Sequence, residues 1–153
     1  SFTCIYNQGI KIMIIYYVGA EISFESRSLL YRHFGTELEH PHATIIYSHK
    51  WFPYKTAKCF PLIIEPAYEY LVLRGNLVLK FENNRFFLRH IELRNLGASS
   101  DFDHFTSHIT IGPIKIWEMY DQLEYLTKAI PSPKFPITLS NEYYGTWEEN
   151  LKE

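Results

Sequence analysis

The chain has 153 residues and only two cysteines, Cys4 and Cys59. That is enough for one bridge, and neither has a second ligand type at short spacing. A disulfide framework and a cysteine-built metal site are therefore excluded, and a reduced, intracellular protein is the expectation. No charge of either sign is in excess: 15 Lys and Arg against 17 Asp and Glu leave a formal net charge of −2. This argues against a protein that grips long nucleic acid through its phosphates, and against a polybasic membrane-surface module. Long apolar runs are also missing. The stretch from Ile12 to Val18 falls far below the roughly 20 residues a membrane-spanning helix needs. No small-residue cleavage site follows it, so neither a spanning helix nor a signal peptide is expected. A phosphate-cradling glycine loop and a dinucleotide fingerprint are absent, which leaves nucleotide triphosphate chemistry unsupported. With no linker long enough to separate domains, residues 1–153 read as one domain.

Aromatic residues are plentiful, with 12 Tyr, 11 Phe and 3 Trp making up 17% of the chain. Core packing accounts for most of such rings, and stacking on a ligand is the sharper use. Lys11 to Val18, bounded by Gly9 and Gly19, reads as a buried strand. Ser23, Ser26 and the helical spacing of Leu29, Leu30 and Phe34 before Gly35 predict a capped helix. His42 to Ser48 reads as a second strand. A meander follows: Cys59 to Ile64, Tyr68 to Leu73, the turn Arg74-Gly75-Asn76, and Leu77 to Phe81. Phe86 to Leu93 fits a helix face only in part, because Asn95 occupies the next position of that face, and a strand is favoured. Ser107 to Ile111 reads as a strand, Ile116 to Ile130 as an amphipathic helix with Met119, Leu123, Leu126 and Ile130 on one face, and Ile137 to Leu139 as a last strand before a charged, frayed tail. Strand–helix–strand order at both ends of the chain predicts an α+β fold with two similar lobes, antiparallel sheets and flanking helices.

The informative feature is a repeated tripeptide. His42-Ala43-Thr44 opens one predicted strand and His108-Ile109-Thr110 lies in another. Residues two apart on a strand share a face, so each motif presents an imidazole beside a hydroxyl. Two such strands side by side would build a symmetric cleft. That arrangement suits phosphodiester cleavage without a metal: one neutral His takes a proton from the attacking oxygen and the other, as imidazolium, protonates the leaving oxygen. The Thr hydroxyls donate to the non-bridging phosphate oxygens, where charge builds in the transition state.

The two motifs in this α+β order resemble the 2H phosphoesterase superfamily, named for two His-x-Thr/Ser motifs on a bilobal, pseudo-symmetric fold. The resemblance spans about Lys11 to Tyr143. Within the superfamily, the segment Arg89-His90-Ile91-Glu92-Leu93-Arg94-Asn95-Leu96-Gly97-Ala98-Ser99-Ser100-Asp101-Phe102-Asp103, running on to Ser107-His108-Ile109-Thr110, resembles the phage anti-CBASS phosphodiesterases. So does Leu139-Ser140-Asn141-Glu142-Tyr143. The resemblance implies His42, Thr44, His108 and Thr110 as catalytic tetrad, cyclic di- and trinucleotide immune signals as substrate, no metal or other cofactor, and action in the cytoplasm of an infected bacterial host. It also implies attack by the substrate's own 2′-hydroxyl through a 2′,3′-cyclic phosphate. A phosphodiesterase of 2′–5′ oligoadenylate or RNA-terminal 2′,3′-cyclic phosphate is an alternative. A non-catalytic cyclic-nucleotide sponge and a purely structural protein are others.

Stacking a base on an aromatic ring stabilises by about 1–3 kcal/mol and needs no basic surface. Tyr16, Trp51 and Tyr70 are the candidates, with core or loop packing as the competing use of each. Glu142, by the same resemblance, could accept a hydrogen bond from an exocyclic amine or be a solvated tail carboxylate. His40 and His42 around Pro41, and His104 four positions before His108, invite a metal reading with Asp101 and Asp103 as extra ligands, but the four-residue spacing binds metal well only on a helix, and loop then strand is expected there. Arg85, Arg89 and Arg94 could steer an anion, although Glu92 among them suggests a solvated face.

Overall fold

The computed structural model describes residues 4–7, 10–35, 38, 41–100, 104–113, 124 and 128–151. Its elements are β1 (Cys4–Asn7), β2 (Ile10–Ile22), α1 (Phe24–Phe34), β3 (His42–Ser48), β4 (Leu62–Ile64), β5 (Glu69–Leu73), β6 (Asn76–Lys80), α2 (Asn84–Asn95), β7 (His108–Pro113) and β8 (Ile137–Leu151). The fold is α+β. One sheet runs in the order β4-β8-β2-β3-β7-β6-β5, with β1 also on β2, and every pairing is antiparallel.

Local chemistry sets the boundaries. Ser23 caps α1 by accepting from the Ser26 N–H at 3.2 Å, and Gly35 ends the helix at φ 71°, where a Cβ is disfavoured. Arg74 and Gly75 both take positive φ, at 48° and 77°, which is what a two-residue hairpin turn between β5 and β6 requires. The sheet has two different faces. Val18, Ala20 and Ile22 of β2 join Ala43, Ile46, Leu79 and Ile109 in the main core, together with Leu30 of α1 and Phe86 and Leu93 of α2. The intervening residues Met13, Ile15 and Tyr17 form a smaller cluster, against which Tyr47 packs.

Several expectations are corrected. Residues 86–93 are helical. Phe86, Arg89, His90 and Leu93 are the buried positions of α2, at helical spacing, and Asn83 caps it by accepting from the Phe86 N–H at 3.0 Å. The buried face includes a charge and an imidazole, so apolar counting misses it. Gly19 does not end β2; the strand runs on to Ile22. A Cβ at Gly19 would meet the Tyr17 ring at 2.6 Å and Tyr143 at 2.8 Å, so glycine there makes room for two rings. The meander strand starts only at Leu62, after Pro61, which has no N–H to donate. The charged tail is not frayed through the described residues, because β8 continues to Leu151, paired along β2. Of the amphipathic face expected over 116–130, Met119, Leu123 and Leu126 lie outside the described residues, and Ile130 is a bend just past the helical residues 128 and 129. Among the described residues, no helix is long and apolar enough to cross a membrane. Cys59 is a free, half-buried thiol.

Candidate active site

The repeated motifs meet edge to edge. In the β3–β7 pairing, His42 stands opposite Thr110 and Ala43 opposite Ile109. Continued by one step, that register would set Thr44 opposite His108, and both line the same cleft. Exchange across the Ala43–Ile109 pair therefore carries one His-x-Thr onto the other. Ala43 and Ile109 are fully buried in the core. The four polar side chains project from the other face, where they line a cleft of about 520 Å³.

The relation extends one residue further on each strand. The β2–β3 ladder passes from Val18–Ile46 to Gly19–Thr44 and skips Ile45. The β6–β7 ladder passes from Leu77–Gly112 to Val78–Thr110 and skips Ile111. Each motif is thus followed by a bulged isoleucine. A bulge resets the alternation of a strand. In β3 it lets Thr44 and Tyr47, three residues apart, line the same cleft.

Protonation follows from the partners. His108 Nδ1 lies 2.7 Å from the Thr106 carbonyl oxygen. A carbonyl only accepts, so Nδ1 carries the proton and donates, leaving Nε2 with its lone pair. Burial lowers the pKa of His108, with the neighbouring His42 acting in the same direction and the Thr106 carbonyl acting against them. Burial thus favours the neutral form of the ring. Thr44 Oγ1 is 2.9 Å from the Tyr17 hydroxyl. Burial drives the Tyr17 pKa upward, so this phenol keeps its proton.

One flank of the cleft is aromatic. The Tyr17 ring lies 5.7 Å from Tyr143 and 5.2 Å from Trp147, and Trp147 lies 5.9 Å from Tyr47. Tyr143 and Trp147 remain 36% and 39% exposed, leaving ring surface for a ligand. Glu149 braces the group by accepting from the Tyr47 hydroxyl and from Trp147 Nε1. Leu73, Arg74 and Asn76 of the β5–β6 hairpin line the cleft as well, and Arg74 brings a guanidinium charge to it.

The four candidate ligand contacts inferred from sequence fall elsewhere. Tyr16 packs in the main core, because strand alternation turns it away from the face that Tyr17 occupies. Trp51 is 60% exposed on a loop and does not line the cleft. Tyr70 packs against the core and donates to the Ile130 carbonyl at 3.0 Å. Glu142 is buried on the helix side of the sheet, where it pairs with Arg89 at 2.7 Å and accepts from the Tyr54 hydroxyl at 2.5 Å. Its carboxylate is committed to that network. Burial and Glu142 together push the Tyr54 pKa up to about 12. Burial works against the Arg89 charge, but the bonds to Glu142 and Glu92 outweigh it and raise the pKa.

Tyr17, Tyr47, Tyr143, Trp147 and Arg74 are the cleft residues that sequence reasoning passed over. Alternation along β2 could have found Tyr17, one position from the residue chosen. No group of three or more His, Cys, Asp or Glu converges among the described residues. Of the metal candidates, His40, Asp101 and Asp103 lie outside the described residues, and His104 lines a separate small cavity with His108.

A family model of anti-CBASS protein Acb1 matches residues 22–153. The chain belongs to the Acb1 family. Both His-x-Thr motifs and the whole of β8 fall within the matched span. The family's name ties the chain to evasion of CBASS defence. None of the curated proteins compared with the chain matches it.

Proposed function

We propose that this Acb1-family chain is a metal-independent phosphodiesterase of the two-histidine type, that its substrates are cyclic di- and trinucleotide immune signals, and that the two lobes of its sheet are pseudo-symmetric. The observation that carries the reading is the His42–Thr110 pairing, which faces two imidazoles and two hydroxyls across one cleft. His108 Nε2 removes the proton of the ribose 2′-hydroxyl. The 2′-oxygen attacks the adjacent phosphorus, the bond to the 5′-oxygen breaks, and His42 as imidazolium delivers a proton to that leaving oxygen. The products of this step are a 2′,3′-cyclic phosphate and an opened ring, and water then opens the cyclic phosphate with the two histidines in reversed roles. Thr44 and Thr110 donate to the non-bridging oxygens. In this reading Tyr17, which keeps its proton, is the donor in its bond to Thr44 Oγ1 and so leaves the Thr44 hydrogen for the phosphate. A base stacks on the Tyr143–Trp147 side of the cleft.

The deciding experiment incubates the protein, with and without a chelator, against cyclic di- and trinucleotides, 2′–5′ oligoadenylate and RNA ending in 2′,3′-cyclic phosphate. Cyclic substrates are expected to open in both conditions, and His42→Ala and His108→Ala to abolish opening. A substrate lacking the 2′-hydroxyl should bind without turnover. Cleavage of the deoxy analogue, or activity that vanishes with chelator, would overturn the mechanism. Binding without product from the intact protein would make it a sponge.

A further inference from the structure

We propose that His90 is a positioning residue for this site, coupling the two His-x-Thr motifs from behind the sheet. The inference rests on the two-histidine reading of the cleft. His90 is buried on α2, and its Nδ1 lies 2.7 Å from the Ile45 carbonyl oxygen, to which it must donate. Ile45 is the residue that the β2 ladder skips. The imidazole therefore anchors the bulge that turns Thr44 and Tyr47 onto one face. The same ring stacks on Phe105, with centroids 3.8 Å apart and planes 8° from parallel. Phe105 precedes Thr106, whose carbonyl accepts from His108 Nδ1. One side chain thus holds the backbone that aims Thr44 and the backbone that sets the His108 tautomer.

The packing leaves room for that control to matter. A cavity of about 50 Å³ has Thr44 and His108 among its walls together with His90 and Phe105. Close-packed interiors resist displacement, and this void gives either motif space to relax once the imidazole stops holding it. His90 lies on the helix side of the sheet and does not line the substrate cleft, so its action passes through Ile45 and Phe105. Burial lowers its pKa and so favours the neutral ring, and the Ile45 carbonyl keeps the single N–H on Nδ1.

The test compares His90→Phe, which keeps a ring for Phe105 but has no donor, with His90→Asn, whose amide can replace the Nδ1 donor. In His90→Phe, kcat on a cyclic dinucleotide should fall roughly 10- to 100-fold, the scale of a small misplacement of reacting groups, with KM nearly unchanged. His90→Asn should recover only part of that loss, because its amide restores the donor to Ile45 but not the ring that stacks on Phe105. Unchanged kcat in His90→Phe, or no rescue by Asn, would overturn the proposal. Nitrogen-15 shifts of the imidazoles in the unsubstituted protein give a second measurement that needs neither activity nor a folded variant. His90 should be the Nδ1–H tautomer, and an Nε2–H tautomer would overturn the coupling even if the enzyme cleaves its substrate. A protein with the Nδ1–H tautomer but no phosphodiesterase activity would refute the proposed reaction instead.

Discussion

The Tyr17 hydroxyl lies 2.9 Å from Thr44 Oγ1, on the sheet face that carries both histidines. A hydroxyl has one proton, and a threonine that accepts from tyrosine can spend its own on phosphate. Tyr17→Phe keeps the ring and removes the hydroxyl, the donor to Thr44 in the proposed reaction. A hydrogen bond of this kind is worth about 1 kcal/mol or slightly more, so kcat should fall about five- to tenfold while Tm changes little. Steady-state kinetics beside a thermal melt checks this.

Gly19 pairs with Thr44 on one side and Tyr143 on the other. An added Cβ would press into Tyr17 and Tyr143, at 2.6 and 2.8 Å. Gly19→Ala must therefore move the rings that line the cleft. Activity should drop more than tenfold, a loss of over about 1.4 kcal/mol in transition-state stabilisation. Gly112→Ala meets nothing within 4 Å and serves as the comparison, with activity retained.

The two His-x-Thr motifs were legible because their spacing and their strands are both local. Two His-x-Thr triplets, each in a β-branched run, needed only strand alternation to be read as one-faced. Their juxtaposition depends on β3–β7 pairing across sequence-distant segments, and symmetry of the motif hinted at it. The aromatic flank of the cleft was illegible for a related reason. Tyr16, expected at the ligand, faces the core while Tyr17 lines the cleft, and on a strand one residue changes the face. The bulge at Ile45 adds a second parity change that no pattern of apolar residues signals. α2 was misread because its buried side includes Arg89 and His90, whose partners Glu142 and Ile45 come from β8 and β3.

Glu142 has a consequence opposite to its expected role in base recognition. Its side chain and that of Arg89 are 2% and 5% exposed. Removing one member of such a pair strands the other charge in the interior, at a cost of about 3–5 kcal/mol. Glu142→Ala should lower Tm by about 10 °C or more for a domain this size. KM of the folded fraction should remain unchanged. A variant with raised KM and an unaltered melt would restore the ligand-contact role. Replacing both residues with apolar ones should recover stability relative to the single variant.

Trp147 and Trp51 separate two ideas of where a base binds. Trp147 lines the cleft beside Tyr17, and Trp51 stands on an exposed loop away from it. Loss of one stacked ring costs about 1–3 kcal/mol, so Trp147→Ala should weaken binding of a non-cleavable cyclic dinucleotide by about 5- to 150-fold. Trp51→Ala should leave the affinity within twofold, on the order of 0.4 kcal/mol or less. Calorimetric titration of both variants distinguishes the sites, and the reverse ranking would move the base to the loop.

The pH dependence follows from the burial of His108. Its pKa lies below the ordinary value of about 6.5 because the charged ring is poorly solvated, with His42 adding repulsion. The base must be neutral to accept a proton, so kcat/KM should decline with falling pH at a midpoint below about 6.5. Stability moves the same way. Between the depressed folded pKa and the ordinary unfolded one, the unfolded chain holds the extra proton. Stability is therefore full above about 6.5 and is lost as pH falls toward the folded value. His90 is depressed by burial as well and contributes in the same direction. Denaturant unfolding at a series of pH values should show the decline, and His90→Asn should flatten it without removing it. An acidic limb of kcat/KM above about 6.5 would mean that the base is not this buried histidine.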